Sequence, residues 1–161
     1  MAELIKVGMA DFKVGSSPDN LISYGLGSCI GIALYDTGSK VGGLAHIMLP
    51  DSTQARSSEN PAKFADTCLP LMLSEMLKIG AVKNRILAKI AGGAQMFSFT
   101  NTTDIMRVGE RNTEAVRAML KKLEVRIVAE DVGANYGRTV ELIMESGIFR
   151  IKTIDKGEKQ L

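Results

Sequence analysis

The chain has 161 residues, of which 45% are hydrophobic and 24% are charged, the balance of an ordinary soluble globular protein. Twenty basic and eighteen acidic residues give a net charge of +2, and the basic residues are scattered, so nucleic acid is not an expected partner. The absence of Trp also removes the usual platform for stacking single-stranded bases. The length suits one domain over residues 1–161, and no linker or repeat divides it.

The opening residues do not predict export or membrane insertion. They contain no apolar run of about seven residues and carry acidic residues early, unlike a signal or transit peptide. No window approaches the roughly eighteen apolar residues of a membrane-spanning helix. The expected location is therefore the cytoplasm, where the two cysteines stay reduced.

Strands are predicted in the first third of the chain. Residues 4–14 predict one or two strands, followed by a turn at 15–20. Residues 21–29 begin apolar and are then interrupted by Gly25 and Gly27, which predicts a strand that ends in a tight bend. The next two strands, 30–35 and 40–49, are predicted to form a hairpin around a turn at 36–39.

A helix is predicted next, with Asn60 as its N-cap and Pro61 at its first position. It runs to about Ile79, and Gly80 ends it. Pro70 inside the pattern predicts a kink. One buried stripe is expected from the residues that recur every four positions, Phe64, Cys68, Met72 and Met76.

The second half alternates strands with one more helix. A strand at 85–90 leads to Gly92-Gly93, Asn112 is the predicted cap of a helix through Leu123, and 125–129 is a further strand. A hairpin is expected from 139–144 and 148–154, followed by a polar tail at 155–161. Strand pairs interrupted by two main helices predict an α+β fold, a layered α/β sandwich with mixed or antiparallel sheets.

The hairpin around residues 36–39 suggests a reactive pair. If Tyr35 pairs with Lys40, paired residue numbers sum to 75, which is also the sum for Cys29 and His46. Residues directly opposite on antiparallel strands share a face, so the thiol would reach the imidazole. We expect an ion pair in which the imidazolium lowers the thiol pKa and makes Cys29 a nucleophile.

Structural roles are open for the same residues. A lone histidine in an apolar strand is often a hydrogen-bonded structural residue, and a lone cysteine is often a small core residue. Gly25 and Gly27 belong either to a β-bulge without a chemical role or to a sharp bend whose N–H groups stabilise an oxyanion, with Gly27 and Ser28 as the candidates for substrate, oxyanion or partner binding. One histidine and two distant cysteines are too few ligands for zinc.

Several blocks of sequence carry a family resemblance, and they follow one another in the family's order. They are GLGSC at 25–29, GLAHIMLP at 43–50, KFAD at 63–66, AKIAGGA at 88–94, MF at 96–97, Gly109 with Arg111-Asn112, AED at 129–131, Gly133, and Gly137-Arg138. Over almost its whole length the chain thus resembles the CheD family of bacterial chemoreceptor glutamine deamidases.

The resemblance implies a protein-glutamine glutaminase. Cys29 would be the nucleophile, His46 the base, and Ser23 the third member, where the family usually has Thr. The implied fold is similar to the cytotoxic necrotizing factor deamidases. Receptor glutamine side chains would become glutamate and ammonia through a cysteine thioester, with no metal or organic cofactor. A second departure is Ala134, where the family commonly has Gly.

The implied partners are the cytoplasmic helices of methyl-accepting chemoreceptors and the phosphatase CheC. Met96 and Phe97 are candidates for one of these contacts or for core packing. Methyl-ester hydrolysis is a further implied activity. Two alternatives are an adaptor that binds receptor and CheC with little catalysis, and a redox-sensing thiol.

Overall fold

The computed structural model describes residues 2–54, 60–95 and 107–161, and these ranges contain ten strands and two α-helices. The strands are β1 (Leu4–Lys6), β2 (Asp11–Ser16), β3 (Asn20–Leu26), β4 (Ile30–Asp36), β5 (Val41–Ile47), β6 (Ile86–Gly92), β7 (Arg126–Val132), β8 (Arg138–Ile143), β9 (Ile148–Thr153) and β10 (Gly157–Gln160). The helices are α1 (Ala65–Lys78) and α2 (Val108–Lys122).

The strands form two five-stranded sheets. The first has the order β1-β3-β8-β9-β10 and the second the order β2-β5-β4-β6-β7. The pairs β1/β3 and β6/β7 are parallel, and the other pairs are antiparallel. The predicted α+β class with mixed sheets and two helices is confirmed.

Two apolar cores stack these elements into layers. One lies between the sheets and joins residues such as Leu21, Leu142 and Phe149 of the first sheet to Ala33 and Leu44 of the second. The other lies between the second sheet and the helices, and it contains Cys68, Met72 and Met76 of the predicted stripe. Every residue of β4 and β5 is buried because a layer covers each face of the second sheet. Any functional side chain on these strands is therefore withdrawn from water.

The boundaries of α1 differ from the prediction at one end. Asn60 does act as an N-cap, but for a short 3₁₀ turn at Pro61–Lys63. The α-helix begins only at Ala65, because the chain between the two forms an extended bridge from Phe64 to Leu49. The helix ends at Lys78, and Gly80 follows with a φ of 112°, as expected of a helix-terminating glycine.

The predicted polar tail is wrong for residues 157–160. They form β10, which pairs antiparallel with β9 at the edge of the first sheet. All four residues are exposed and polar or small, as expected of a polar tail, but they form a strand. Charged side chains on an edge strand also discourage pairing with a second chain.

The predicted register of the β4–β5 hairpin is wrong by two residues. Tyr35 pairs with Gly42, and His46 lies opposite Gly31, so paired numbers sum to 77. The loop comprises residues 37–40, and Asp36 remains in the strand opposite Val41. Cys29 and His46 are consequently not directly opposed.

Asp36 provides the physical reason for that register. Its carboxylate is fully buried and accepts hydrogen bonds from Gly38, Ser39, Val82 and Arg85. Burial alone would raise the pKa of Asp36, but the hydrogen bonds from Arg85 and these other donors outweigh it and hold the pKa well below its usual range. Because Val82 and Arg85 are distant in sequence, a local turn pattern does not reveal this anchor.

Replacing Asp36 with Asn is expected to destabilise the fold by about 2 kcal/mol or more at neutral pH, since a buried charged acceptor is lost. A carboxyl pKa below its unfolded value stabilises the fold above about pH 4, and that stabilisation is lost as the pH falls through the unfolded and then the folded pKa. Urea unfolding from pH 7 to 3 should therefore show a smaller acid-side loss for Asp36→Asn than for wild type. The exposed Asp155→Asn serves as the control, and equal pH curves for both variants would contradict the expectation.

Candidate functional site

His46 and Ser23 join the two sheets through a buried hydrogen bond. His46 lies on β5 of the second sheet and Ser23 on β3 of the first, and both are 0% exposed. The Ser23 Oγ lies 2.8 Å from His46 Nδ1. The side chain of the only histidine in the sequence therefore faces the space between the sheets.

The partners of Ser23 identify which imidazole nitrogen carries the proton. Ser23 Oγ donates its single hydrogen to the Val7 carbonyl oxygen at 2.7 Å. The hydroxyl can then only accept from His46, which requires an Nδ1–H tautomer. Nε2 is left unprotonated, and it is buried with no hydrogen-bond partner among the described residues. This nitrogen is a buried base.

Cys29 immediately precedes β4 and packs in the same core between the sheets. It is two residues before Gly31, the residue opposite His46. Cys29 lies outside the β4–β5 ladder, but it packs in the core between the sheets, on the side of the second sheet that His46 also faces. The thiol is 8% exposed and the imidazole is fully buried.

The predicted ion pair between these residues is wrong for the resting site. Burial raises the pKa of the Cys29 thiol, and its own backbone N–H lowers it by less. Burial lowers the pKa of His46 to about 4. Both shifts follow from the cost of a charge in a dry environment. At neutral pH the site holds a neutral thiol and a neutral imidazole.

The paired glycines at 92–93 hold the backbone of the cysteine. Gly93 N–H donates to the Cys29 carbonyl at 2.9 Å, and Ala94 N–H donates to the Gly27 carbonyl at 2.9 Å. Gly92 has a φ of +112°, and a Cβ there would collide with the Cys29 carbonyl oxygen. These glycines are thus required for the close approach of β6 to the cysteine.

The bend before Cys29 contains a β-bulge. The register of β3 against β8 shifts between Ser23 and Leu26, and Gly25 has a φ of +72°. The bulge contains Gly25, so the bulge interpretation is confirmed for that glycine alone. An additional oxyanion role for Gly27 and Ser28 stays a prediction.

Asn112 contacts the backbone next to Cys29, although the sequence pattern predicted a different role for it, that of a helix cap. The prediction that it caps a helix is wrong, because α2 begins at Val108 and buries Asn112 completely. Its Nδ2 donates to the carbonyl oxygens of Ser28 and Met48, each at 2.9 Å. The spacing of Asn112, Val116 and Leu120, four residues apart, is the signal that places Asn112 on the buried face.

Arg138 contacts the backbone of the glycine pair, and the sequence pattern did not predict this role. Its guanidinium is almost fully buried and donates to Asp131 Oδ2 at 3.0 Å. It also donates to the carbonyl oxygens of Gly92 and Gly133, at 3.3 Å and 3.0 Å. Arg138 therefore supports the glycine pair that holds Cys29.

Three further features bear on the sequence predictions. Met96 and Phe97 lie outside the described residues. Within residues 2–54, 60–95 and 107–161, no group of three His, Cys, Asp or Glu side chains is placed to hold a metal ion. Neither described helix is long and apolar enough to cross a membrane.

Together these features define a layered α+β protein with a buried cysteine and a buried neutral histidine between two sheets. The family model for CheD, chemotactic sensory transduction, matches residues 48–153. The chain belongs to the CheD family.

Full-length relatives support the assignment, and three of them carry the name "Probable chemoreceptor glutamine deamidase CheD". The relative from Lachnoclostridium phytofermentans is 51% identical over 161 residues, covering 100% of both chains. That from Syntrophomonas wolfei is 54% identical over 159 residues, 99% of each chain. That from Caldanaerobacter subterraneus is 52% identical over 160 residues, 99% of each chain.

The histidine can be tested directly because its nuclear magnetic resonance signals belong to one residue. We expect the imidazole to titrate near pH 4, in place of the ordinary 6.5, and to be protonated at Nδ1 at pH 7. Ser23→Ala should abolish the tautomer preference, whereas Ser23→Thr keeps the hydroxyl and serves as the control. Because the folded pKa is lowered, stability should fall as the pH drops from about 6.5 towards 4. A midpoint near 6.5, or a proton on Nε2, would contradict the structure.

Proposed function

We propose that this protein is a chemoreceptor glutamine deamidase that uses Cys29 as nucleophile and His46 as base. The observation that carries the proposal is the unprotonated, buried Nε2 of His46, whose Nδ1 is held by Ser23 in the same space between the sheets where Cys29 packs. The name that the relatives carry supplies the substrate class. The two-sheet arrangement is proposed to serve the same chemistry as in the cytotoxic necrotizing factor deamidases.

The first half of the reaction follows from a neutral resting pair. As the Cys29 sulfur attacks the side-chain carbonyl carbon of a receptor glutamine, the thiol proton passes to His46 Nε2. A carbon–sulfur bond forms, and the carbonyl oxygen becomes an oxyanion, for which backbone N–H groups near Gly27 and Ser28 are the proposed donors. The imidazolium then protonates the leaving nitrogen, and ammonia departs as the carbon–nitrogen bond breaks.

The second half regenerates the enzyme. Water gives a proton to His46 Nε2 and attacks the thioester carbonyl carbon. The carbon–sulfur bond breaks, the sulfur recovers its proton, and glutamate remains on the receptor. Ser23 contributes by holding the Nδ1–H tautomer through both steps. The same thioester would form from a glutamate methyl ester, with methanol leaving.

The electrostatics of the two thiols weigh against a redox sensor. Thiolate is the oxidisable form, and burial raises the pKa of Cys29 in the resting protein. Burial raises the pKa of Cys68 to about 12, and this side chain is fully enclosed in the helix-side core, the apolar core between the second sheet and the helices. Neither thiol is poised as a thiolate before a substrate enters.

Removing the nucleophile or the base should abolish turnover. Cys29→Ala is expected to lower ammonia release from receptor fragments about a thousandfold or more. His46→Gln should lower it about a hundredfold or more, because proton transfer is lost. The measurement is mass spectrometry of receptor peptides, which detects the conversion of amide to acid.

Cys68→Ala is the matched control, since it removes the other thiol from a site that takes no part in the chemistry. It should retain turnover at temperatures where it is folded. The proposal fails if the Cys29→Ala protein deamidates at the wild-type rate. If that variant is inactive as a deamidase yet changes receptor signalling fully by binding alone, the adaptor function is the correct one.

We further propose that the protein acts in the cytoplasm, on the cytoplasmic helices of chemoreceptors, and that it binds CheC through a surface that includes Met96 or Phe97. The support is the sequence resemblance.

Phe97→Glu should weaken CheC binding about tenfold or more in calorimetry, because burying an unpaired charge in an interface is costly. Ile154→Glu, at a fully exposed position, is the control with the same change of charge. Unchanged CheC binding by a folded Phe97→Glu protein would contradict the proposed binding surface.

A further inference from the structure

We propose that Asn112 is a positioning residue for the deamidation, which fixes the backbone of Cys29 relative to the end of the histidine-bearing strand. The inference rests on the proposed function of Cys29 and His46. Asn112 is fully buried on α2, and its single Nδ2 bonds both the Ser28 and the Met48 carbonyl at 2.9 Å. One side chain from the helix layer thus bridges the segments that carry the two reacting groups.

The position of the two carbonyls gives this bridge its effect. The Ser28 carbonyl belongs to the same peptide unit as the Cys29 N–H. The Met48 carbonyl lies two residues after His46, just beyond the end of β5. The ladder between β4 and β5 has already ended at Ile30 and Ile47. Asn112 therefore joins the strands where their own hydrogen bonds stop.

The bridge also orients a donor for the oxyanion. In a trans peptide the N–H points opposite to the C=O. Because the Ser28 carbonyl is directed at Asn112 in α2, the Cys29 N–H is directed away from the helix layer. The same N–H lowers the pKa of the Cys29 thiol, which agrees with an N–H that points towards the Cys29 sulfur. An N–H held beside the attacking sulfur is suitably placed for the developing oxyanion.

An amide side chain meets these requirements, and a carboxylate of the same shape does not. The amide nitrogen supplies two N–H donors, one for each carbonyl, whereas a carboxylate would supply none. The neighbouring Thr113 shows a different kind of contact, since its Oγ1 donates to the Gly109 carbonyl within its own helix. Asn112 makes its contacts outside its helix, to the two segments of the site.

The variants are Asn112→Ala, which removes the donors, and Asn112→Asp, which keeps the shape without them. The matched control is Val116→Ala, a truncation of another fully buried residue on α2 that belongs to the helix-side core. Thermal unfolding of all three identifies a temperature at which each full-length chain is folded, and the kinetics are measured there. A variant that does not fold is set aside, and the other Asn112 variant carries the test.

Asn112→Ala is expected to lower kcat about thirtyfold to a hundredfold and to leave KM within about twofold, because a misplaced donor weakens transition-state binding more than substrate binding. Val116→Ala should keep kcat within about twofold. Independently of turnover, the Cys29 amide resonance should shift and the alkylation of Cys29 by iodoacetamide should move to higher pH in the Asn112 variants alone.

Two results would overturn the proposal. One is an Asn112→Ala protein whose kcat stays within about twofold of wild type. The other is a loss of activity shared equally by Val116→Ala, with unchanged Cys29 alkylation and amide resonance in the Asn112 variants. If the wild-type protein proves inactive on receptor glutamines, the proposed function fails, and the alkylation and resonance data still decide whether Asn112 positions Cys29.

Discussion

The hydrogen bond between Ser23 and His46 is the constraint on which the chemistry of the site depends. It links the two sheets inside the core, at 2.8 Å and without solvent contact. Because Ser23 already donates to Val7, the direction of the bond is fixed and so is the imidazole tautomer. A threonine would supply the same hydroxyl, so serine keeps this function with weaker rotamer control. The bond turns a buried histidine into a base with one available nitrogen.

Burial determines when that base acts. In a dry site the thiolate and the imidazolium are each costly, and the two pKa shifts oppose charge separation at rest. In the proposed reaction, charge develops only when a carbonyl group is present to accept electron density from the sulfur. Reactivity therefore follows substrate binding, and a thiol that stays protonated is a poor target for oxidants. A neutral pair therefore suits the proposed role of Cys29, which is to act as a nucleophile only after a receptor glutamine is bound.

The sequence predicted the elements better than their pairing. Local patterns were sufficient for the α+β class, for the α1 stripe and for the bend at Gly25, because each depends on neighbouring residues. The hairpin register failed because Asp36 is held by Val82 and Arg85, which are remote in sequence. The error was two residues, so every side chain kept its face, and Cys29 and His46 remained on one side of the sheet for a reason other than the one first given. Asn112 was misassigned because asparagine is a common N-cap, and only the tertiary contact reveals its partners.

Each layer of the fold contributes a different part of the site. The first sheet supplies the hydroxyl of Ser23, and the second supplies His46 and, immediately before its strand β4, Cys29. The helix layer supplies the amide of Asn112. These contacts meet at one end of the second sheet. There the hydrogen-bond ladder between β4 and β5 ends, and backbone carbonyl groups are available to side chains. Such a site forms only when all three layers are packed, so the reactive geometry is a property of the folded domain. The apolar cores that stack the layers are for this reason as necessary to the proposed catalysis as Cys29 and His46 themselves.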